Sequence, residues 1–186
     1  MQPLRLLLGG ALLAAGVATA APVPVHLLVP GRGDVLLVVP DGWVQSREPL
    51  RAGDPETLTL SQHSGPTFNV VVTAVPVAEN PAARPDMGRV RAFVAEAAKQ
   101  AESQSVEKEV AVRDVPGAKG RGVYFTATDR APKPNEWKYL AQGAITVDSA
   151  ILTFTILTND GQDAIVTAAL DMLRRATLQP PPVPTG

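Results

Sequence analysis

Cysteine is absent from this chain of 186 residues, and so is an excess of charge of either sign. Without cysteine there is no disulfide, no thiolate ligand for a metal and no thiol nucleophile. The 17 basic and 18 acidic residues give a formal net charge of −1 at pH 7. That balance excludes a generally basic surface built to neutralise nucleic-acid phosphates, and it equally excludes an acidic disordered chain. We therefore predict no nucleic-acid partner.

Aromatic side chains are scarce, at 4% of the residues, whereas apolar residues as a whole make up 45%. The apolar content is that of an ordinary soluble globular protein, and the length favours a single domain. Because aromatic residues are so few, any of them that lies outside an obvious core pattern is a candidate for binding.

The start of the chain has the pattern of a secretory signal peptide. Arg5 precedes an apolar run from Leu6 to Val17, and Ala18-Thr19-Ala20 forms an A-x-A cleavage signal. The run is shorter than the roughly 20 residues of a transmembrane helix, so we predict cleavage after Ala20. An uncleaved membrane anchor is the alternative. These features favour a bacterial exported protein that is periplasmic or secreted, with no stable membrane insertion after cleavage.

The remainder of the chain is predicted to be one domain followed by a tail. We predict a signal peptide over residues 1–20, a single domain over residues 21–178 and a Pro-rich disordered tail over residues 179–186. A domain of about 150 residues buries roughly 68–70% of its unfolded surface, which makes a stable core feasible without disulfides.

Eight segments of the domain have the alternating or β-branched pattern of strands. They are Val25–Val29, Val35–Val39, Thr57–Ser61, Phe68–Val75, Val106–Val112, Arg121–Thr128, Trp137–Val147 and Ile151–Thr158. Residues 46–56 are polar, carry two prolines and are predicted to form a loop. Several connections are short enough for hairpins, which favours antiparallel pairing.

Two further segments have the periodicity of amphipathic helices. The first is predicted to follow Asp86 as its N-cap, and the second to follow Asp160 and to end near Arg174 and Arg175. Two such helices need a sheet to cover. We therefore predict an α+β fold, an α/β/α sandwich whose central antiparallel sheet has about six to eight strands and is covered by both helices.

No catalytic motif stands out in this sequence. The two histidines, His26 and His63, lack the spacing of paired metal ligands, and the usual nucleotide-binding, metalloprotease and nucleophile-elbow motifs are absent. We therefore predict that the chain is not an enzyme, with no catalytic, cofactor-binding or metal-binding residues and no cofactor. A hydrolase that uses His63 with Ser61 or Ser64 is the minor alternative.

Three aromatic residues are the candidates for binding a partner: Trp137, Tyr139 and Trp43. Trp137 lies in a charged loop bounded by proline, and Trp and Tyr are enriched in binding hot spots. The alternative is that these rings pack on the rim of the core. We predict a non-catalytic interaction or accessory protein that docks an envelope or secretion partner, of unknown identity, through an exposed loop or sheet face.

A second function remains open on the same sequence. Phe93 belongs to the first predicted helix, and Phe125 and Phe154 to predicted strands. Together they could line a pocket between sheet and helix, as in a carrier of a small molecule or lipid.

Residues Asp34 to Trp43, DVLLVVPDGW, resemble the opening of PsbP-like proteins, in which a strand is followed by proline, an acidic residue, glycine and tryptophan. That superfamily also contains the Ran-binding Mog-type proteins and the bacterial DcrB-like proteins. The order of the remaining elements is similar too, and the resemblance covers nearly all of residues 33–178. The corresponding pieces are Thr57–Val75, Asp86–Ser103, Val106–Thr158 and Asp160–Ala176.

The resemblance implies an α/β/α sandwich with a central antiparallel sheet, and a non-catalytic binding or accessory role like that of most members. Because the partners of those members differ widely, it implies no particular partner. No functional residue of the plant photosystem members or of the Ran binders is matched in this chain.

Overall fold

The described part of the chain forms ten strands and two helices. A computed structural model describes residues 23–47, 54–64, 67–77 and 84–181, so the predicted signal peptide and the end of the predicted tail lie outside the described residues. The strands are β1 (Val23–Val29), β2 (Gly33–Val39), β3 (Trp43–Arg47), β4 (Thr57–Gln62), β5 (Asn69–Pro76), β6 (Arg113–Asp114), β7 (Gly122–Thr128), β8 (Tyr139–Val147), β9 (Ala150–Thr158) and β10 (Thr177–Gln179). The helices are α1 (Met87–Ala101) and α2 (Asp163–Arg174).

The strands are divided between two antiparallel sheets. Seven form a large sheet in the order β3-β4-β5-β9-β8-β7-β6, and three form a small sheet in the order β1-β2-β10. The α+β class and the seven-stranded antiparallel sheet confirm the predicted fold class. The separate small sheet was not predicted, because alternation along the first hairpin shows which side is buried but not which strand it pairs with.

One face of the large sheet, here called the α2 side, carries the main core. Its inward residues alternate along each strand, for example Val70, Val72 and Ala74 on β5, and all three are fully buried. The inner side chains of the β1–β2 hairpin and the apolar stripe of α2 pack against this face and complete one continuous cluster. The small sheet and α2 therefore share the task of covering it.

The opposite face, here called the α1 side, is covered only in part. The predicted cap is present, since Asp86 lies at the N-terminus of α1 and its carboxylate accepts a hydrogen bond of 2.8 Å from the Gly88 amide. The apolar stripe of α1 packs on β7 and β8, where it buries Phe125 completely. Residues of β4, β5 and β9 that point to the same side are only half-buried, and several are threonines: Thr57, Thr59, Thr73, Thr153 and Thr155. This leaves a shallow channel beside α1.

The two sheets are linked at their edges by a buried carboxylate. Glu56 is only 7% exposed, and its carboxylate accepts hydrogen bonds from the Leu28 amide of β1 and from the Arg47 guanidinium of β3. The same guanidinium donates to the His26 carbonyl oxygen at 2.7 Å. Edge groups of β1 that no strand pairs with are thereby satisfied by side chains of the large sheet.

The strand predicted over 106–112 is wrong. None of its residues belongs to a strand: an isolated bridge joins Ser105, just before the segment, to Asp129, and regular sheet pairing begins only at β6. The Val110 amide donates to the Glu102 carboxylate at 3.2 Å instead of to a neighbouring strand. Local side-chain acceptors have therefore taken the place of a strand ladder.

Three smaller predictions also need correction. The predicted loop over 46–56 begins too early, because β3 continues to Arg47. Asp160 does not cap the second helix, whose N-cap is Gln162, because its carboxylate binds other side chains described below. The strand β10 runs to Gln179 and pairs with β2, so ordered structure reaches one residue into the predicted tail.

Candidate functional site

Trp137 and Tyr139 lie together at the end of the large sheet where β8 begins. Both are half-buried, and both line a groove of about 570 Å³ between the C-terminal end of α1 and the starts of β8 and the preceding loop. Apolar walls are supplied by small or aliphatic residues such as Ala101 and Leu140, and Gln100 and Glu136 lie around them. We call this the Trp137 groove. Tyr139 also lines a separate cavity of about 450 Å³ on the α2 side.

A cluster of three polar side chains fixes Tyr139 in place. The Asp160 carboxylate accepts a hydrogen bond of 2.7 Å from the Tyr139 hydroxyl and bonds of 2.8 and 3.0 Å from Lys138 Nζ. Lys138 Nζ lies 5.1 Å from the centre of the Tyr139 ring, within cation–π range. Hydrogen bonding to Asp160 raises the pKa of Lys138, and hydrogen bonds from Lys138 and Tyr139 lower the pKa of Asp160. The Tyr139 side chain at the start of β8 is thus held in one orientation before any ligand binds.

Glu107 ties the segment after α1 to the end of β7, next to the same groove. Burial alone would raise the pKa of its carboxyl. Hydrogen bonds from the Ser105 hydroxyl and from the Thr128 amide (2.9 Å) and hydroxyl (2.8 Å) outweigh that effect and lower the pKa to about 2. Ser105 and Thr128 both line the groove, so Glu107 positions two of its wall residues.

Glu107 therefore gives the fold a pH dependence that a single substitution should remove. A carboxyl whose pKa falls from 4.5 to about 2 on folding contributes stability that is fully present above pH 4.5 and is lost as the pH falls towards 2. We expect Glu107→Gln to lower the free energy of unfolding at pH 7 by about 1–2 kcal/mol, after allowance for screening of a half-buried group. The difference from the wild type should shrink between pH 4.5 and pH 2 in urea titrations.

Glu109 provides the matched control for that experiment, because it is an exposed carboxylate two residues away. Glu109→Gln should have nearly the same stability as the wild type at every pH. Equal losses in the two variants, or a Glu107→Gln deficit that does not change with pH, would contradict the role assigned to Glu107.

Trp43 does not join the other two aromatic candidates. Its ring centre lies 4.6 Å from that of Phe68 with the planes tilted by 52°, and it packs against the main core. It begins β3, which is separated from β8 by β4, β5 and β9, a distance of roughly 19 Å at the usual strand spacing. Trp43 therefore lies where the alternative interpretation placed these rings, packed on the rim of the core.

The residues of the hydrolase alternative do not converge. His63 is exposed at the end of β4 and makes no hydrogen bond to a hydroxyl or carboxylate within the described residues. His26 lies on β1 with its Nδ1 atom 3.9 Å from an Asp34 carboxylate oxygen, and both side chains are largely exposed. In the part of the chain that the structure describes, no three His, Asp or Glu side chains are grouped as a metal site would require.

The three phenylalanines of the carrier alternative border one small depression of about 150 Å³ on the α1 side. That volume is below the roughly 300–1,000 Å³ of ordinary ligand sites. Phe125 and Phe154 are fully buried in different clusters on opposite faces of the sheet, and Phe93 is 64% exposed on α1. The depression is therefore not a pocket that all three rings enclose.

Sequence reasoning missed a second surface feature, a cavity of about 450 Å³ lined by four arginines. They are Arg84, Arg121, Arg174 and Arg175. These residues come from three distant parts of the chain, so no local sequence motif identifies them.

Neither described helix has the length and apolar character that crossing a bilayer requires.

Comparison with known proteins yields a likeness of structure alone. No family model and no curated protein matches this chain. The solution structure of cyanobacterial PsbP from Synechocystis is similar to it with a TM-score of 0.45 and 14% sequence identity, covering 88% of this chain and 94% of that one. At this level of likeness the PsbP-like family assignment stays a prediction, and the α+β class follows from the described strands and helices themselves.

Proposed function

We propose that this chain is a non-catalytic accessory protein that binds another protein through the Trp137 groove. The observation that carries the proposal is the placement of Trp137 and Tyr139 on one groove of about 570 Å³. Trp and Tyr supply large contact area at a low cost in side-chain entropy and are the commonest anchors of protein interfaces. Hydrogen bonds of Tyr139 and Lys138 to Asp160 hold Tyr139 in position in advance, which reduces the cost of ordering that side chain on binding.

The lining of the groove indicates what kind of partner segment it accepts. Its lining combines apolar residues, among them Ala97, Ala127 and Leu157, with polar ones such as Gln142 and with the opposite charges of Asp129 and Lys138. A mixture of apolar and polar surface of this kind is usual in protein interfaces. A partner that inserts an aliphatic or aromatic side chain, flanked by polar groups, fits this arrangement.

The place of action is part of the same proposal. The signal-peptide pattern over residues 1–20 supports export, and we propose that the partner belongs to the cell envelope. The groove lies wholly within the described domain and uses no residue of the predicted signal peptide or tail.

Trp137→Ala is the direct test of this function. We expect at least a tenfold loss in recovery of a partner from envelope extract, because truncating a central aromatic anchor typically costs 2 kcal/mol or more of binding free energy. The thermal midpoint should fall by no more than about 4 °C, since the side chain is half-buried outside the core clusters.

Phe93→Ala is the matched control, because it removes another accessible aromatic ring from the same side of the sheet. That variant should recover the partner as the wild type does. Equal recovery by Trp137→Ala and the wild type would exclude the groove as the docking site, and so would an unfolded Trp137→Ala protein.

A further inference from the structure

The cavity lined by arginines lies at the opposite end of the large sheet from the Trp137 groove, beside the β8–β9 turn. Arg84 precedes α1, Arg121 precedes β7, and Arg174 and Arg175 end α2. The cavity has a volume of about 450 Å³, within the range of small-molecule sites. Three parts of the fold therefore bring four arginines to the lining of one cavity.

The positive charges of this cavity exceed the carboxylates that face them. Arg84 Nη1 lies 2.9 Å from an Asp148 carboxylate oxygen, and Arg174 Nε lies 2.8 Å from one of Asp171. Within the part of the chain that the structure describes, the Arg121 guanidinium donates only to backbone carbonyl oxygens, of Thr146 at 3.2 Å and of Arg174 at 3.1 Å. The Arg175 side chain is exposed, and its charge also acts on the Asp171 carboxylate. Among the described residues, the carboxylates of Asp148 and Asp171 thus face four arginines, and this excess of positive charge favours an anion.

An apolar cavity of about 510 Å³ adjoins the arginines and shares Arg84 and Pro85 with them. It lies beneath the first half of α1, and its walls are mostly aliphatic, formed by Val75, Val77, Val90, Ala144 and Ile151. Asp86 and Arg89 also line it, and their side chains form an ion pair with each other at 3.7 Å. Phe93 stands at its edge and is 64% exposed, although large apolar side chains of this kind are usually buried. This apolar cavity shares Phe93 and Thr153 with the depression of about 150 Å³, so the two adjoin as well.

We propose that these adjoining cavities form one binding site for a small anionic amphiphile, namely a fatty acid. The carboxylate lies among the arginines, whose guanidinium groups bind carboxylates in a bidentate manner. The aliphatic chain follows the apolar cavity towards Phe93 and removes its surface from water. A ligand that fits only one of the two cavities would leave the other unused. A simple anion would leave the apolar walls exposed to water, and a neutral chain would leave the arginines without a counter-charge.

This site goes beyond the proposed docking function and is independent of it. The arginine end and the Trp137 groove occupy opposite ends of the sheet and share no lining residue. Loss of fatty-acid binding would leave partner capture by Trp137 untouched, and the reverse also holds.

The test is calorimetric titration of the full chain with decanoate, decanol and acetate. We expect saturable binding of one decanoate per chain and at least tenfold weaker binding of both decanol and acetate, because each lacks one of the two features. Arg84→Gln combined with Arg175→Gln should weaken decanoate binding by about tenfold or more, since charge-assisted hydrogen bonds are lost. Phe93→Gln should weaken it severalfold.

Matched variants keep the outcome interpretable. Lys99→Gln combined with Lys108→Gln removes the same two charges from exposed positions elsewhere and should bind decanoate like the wild type. Trp137→Ala should do so as well. Thermal midpoints of all variants should agree within about 4 °C, because the altered side chains are exposed or only half-buried.

Several results would overturn the proposal. These are no saturable binding of decanoate, decanol bound as tightly as decanoate, or an Arg84→Gln/Arg175→Gln variant with unchanged affinity. Binding to phosphatidylglycerol vesicles without binding of free decanoate would assign the arginines to a membrane surface and would also overturn it.

Discussion

Replacing Phe154 by alanine should lower the free energy of unfolding by about 3–5 kcal/mol, the range measured for fully buried aromatic side chains. Phe154 is 2% exposed on the α2 side of β9, the middle strand of the large sheet. On that face it lies between Val72 of β5 and Gly143 of β8. Because two sheets and α2 meet in the cluster around it, the surrounding elements cannot collapse into the space that the ring leaves.

Phe93→Ala makes the same chemical change at an exposed position, so it isolates the effect of burial. We expect that variant to lose no more than about 0.5 kcal/mol. Urea unfolding of both proteins, followed by circular dichroism, provides the comparison. Similar midpoints for the two variants would show that the core does not depend on Phe154.

Much of this fold is visible in the sequence because burial and periodicity coincide. On β7 the alternation of Val123, Tyr124 and Phe125 predicts opposite faces, and the structure places Val123 and Phe125 under α1 with Tyr124 in the main core. The Asp86 cap was found in the same way, since an N-cap is recognised by a short-range pattern. Signals of this kind act within one turn of helix or along one strand.

Pairing between distant segments left no such signal. The β1–β2 hairpin was predicted as a hairpin, but its membership of a separate sheet depends on β10, three residues that lie about 140 positions further along the chain. The alternating valines after Ser105 indicated a strand. The actual segment is held by Glu102 and Glu107 side chains, which periodicity cannot reveal.

The same contrast between local and long-range signals separates the two candidate sites. Trp137 and Tyr139 were identifiable because they are rare residues in one charged loop, and the structure adds the groove they line. The arginine cavity was not identifiable, because Arg84, Arg121 and Arg175 meet only after the β8–β9 hairpin and α2 have packed. A net charge of −1 for the whole chain conceals a local excess of positive charge at this end.

Gly143 is the clearest case of a requirement that the structure alone reveals. It lies opposite Tyr124 on β7 and Phe154 on β9, so two aromatic side chains flank it on the α2 side. A Cβ atom at this position would lie 2.6 Å from Tyr124 Cβ and 2.7 Å from Tyr124 Cα, and it would also collide with the Val123 carbonyl oxygen. The glycine therefore allows β7 and β8 to approach closely in the middle of the sheet.

Gly143→Ala should consequently cost about 3 kcal/mol or more, at the upper end of the usual range for overpacking. Two of the three colliding atoms belong to the backbone, so no change of rotamer can relieve the contact, and β7 must move away from β8.

Gly88→Ala is the matched control. Gly88 is exposed in the first turn of α1, where alanine is the better helix former, and its new Cβ would meet only the flexible Asp86 side chain. We expect the free energy of unfolding of the control, measured in urea, to lie within about 1 kcal/mol of that of the wild type. A Gly143→Ala protein as stable as the Gly88→Ala control would mean that the two strands are not in close contact at this point.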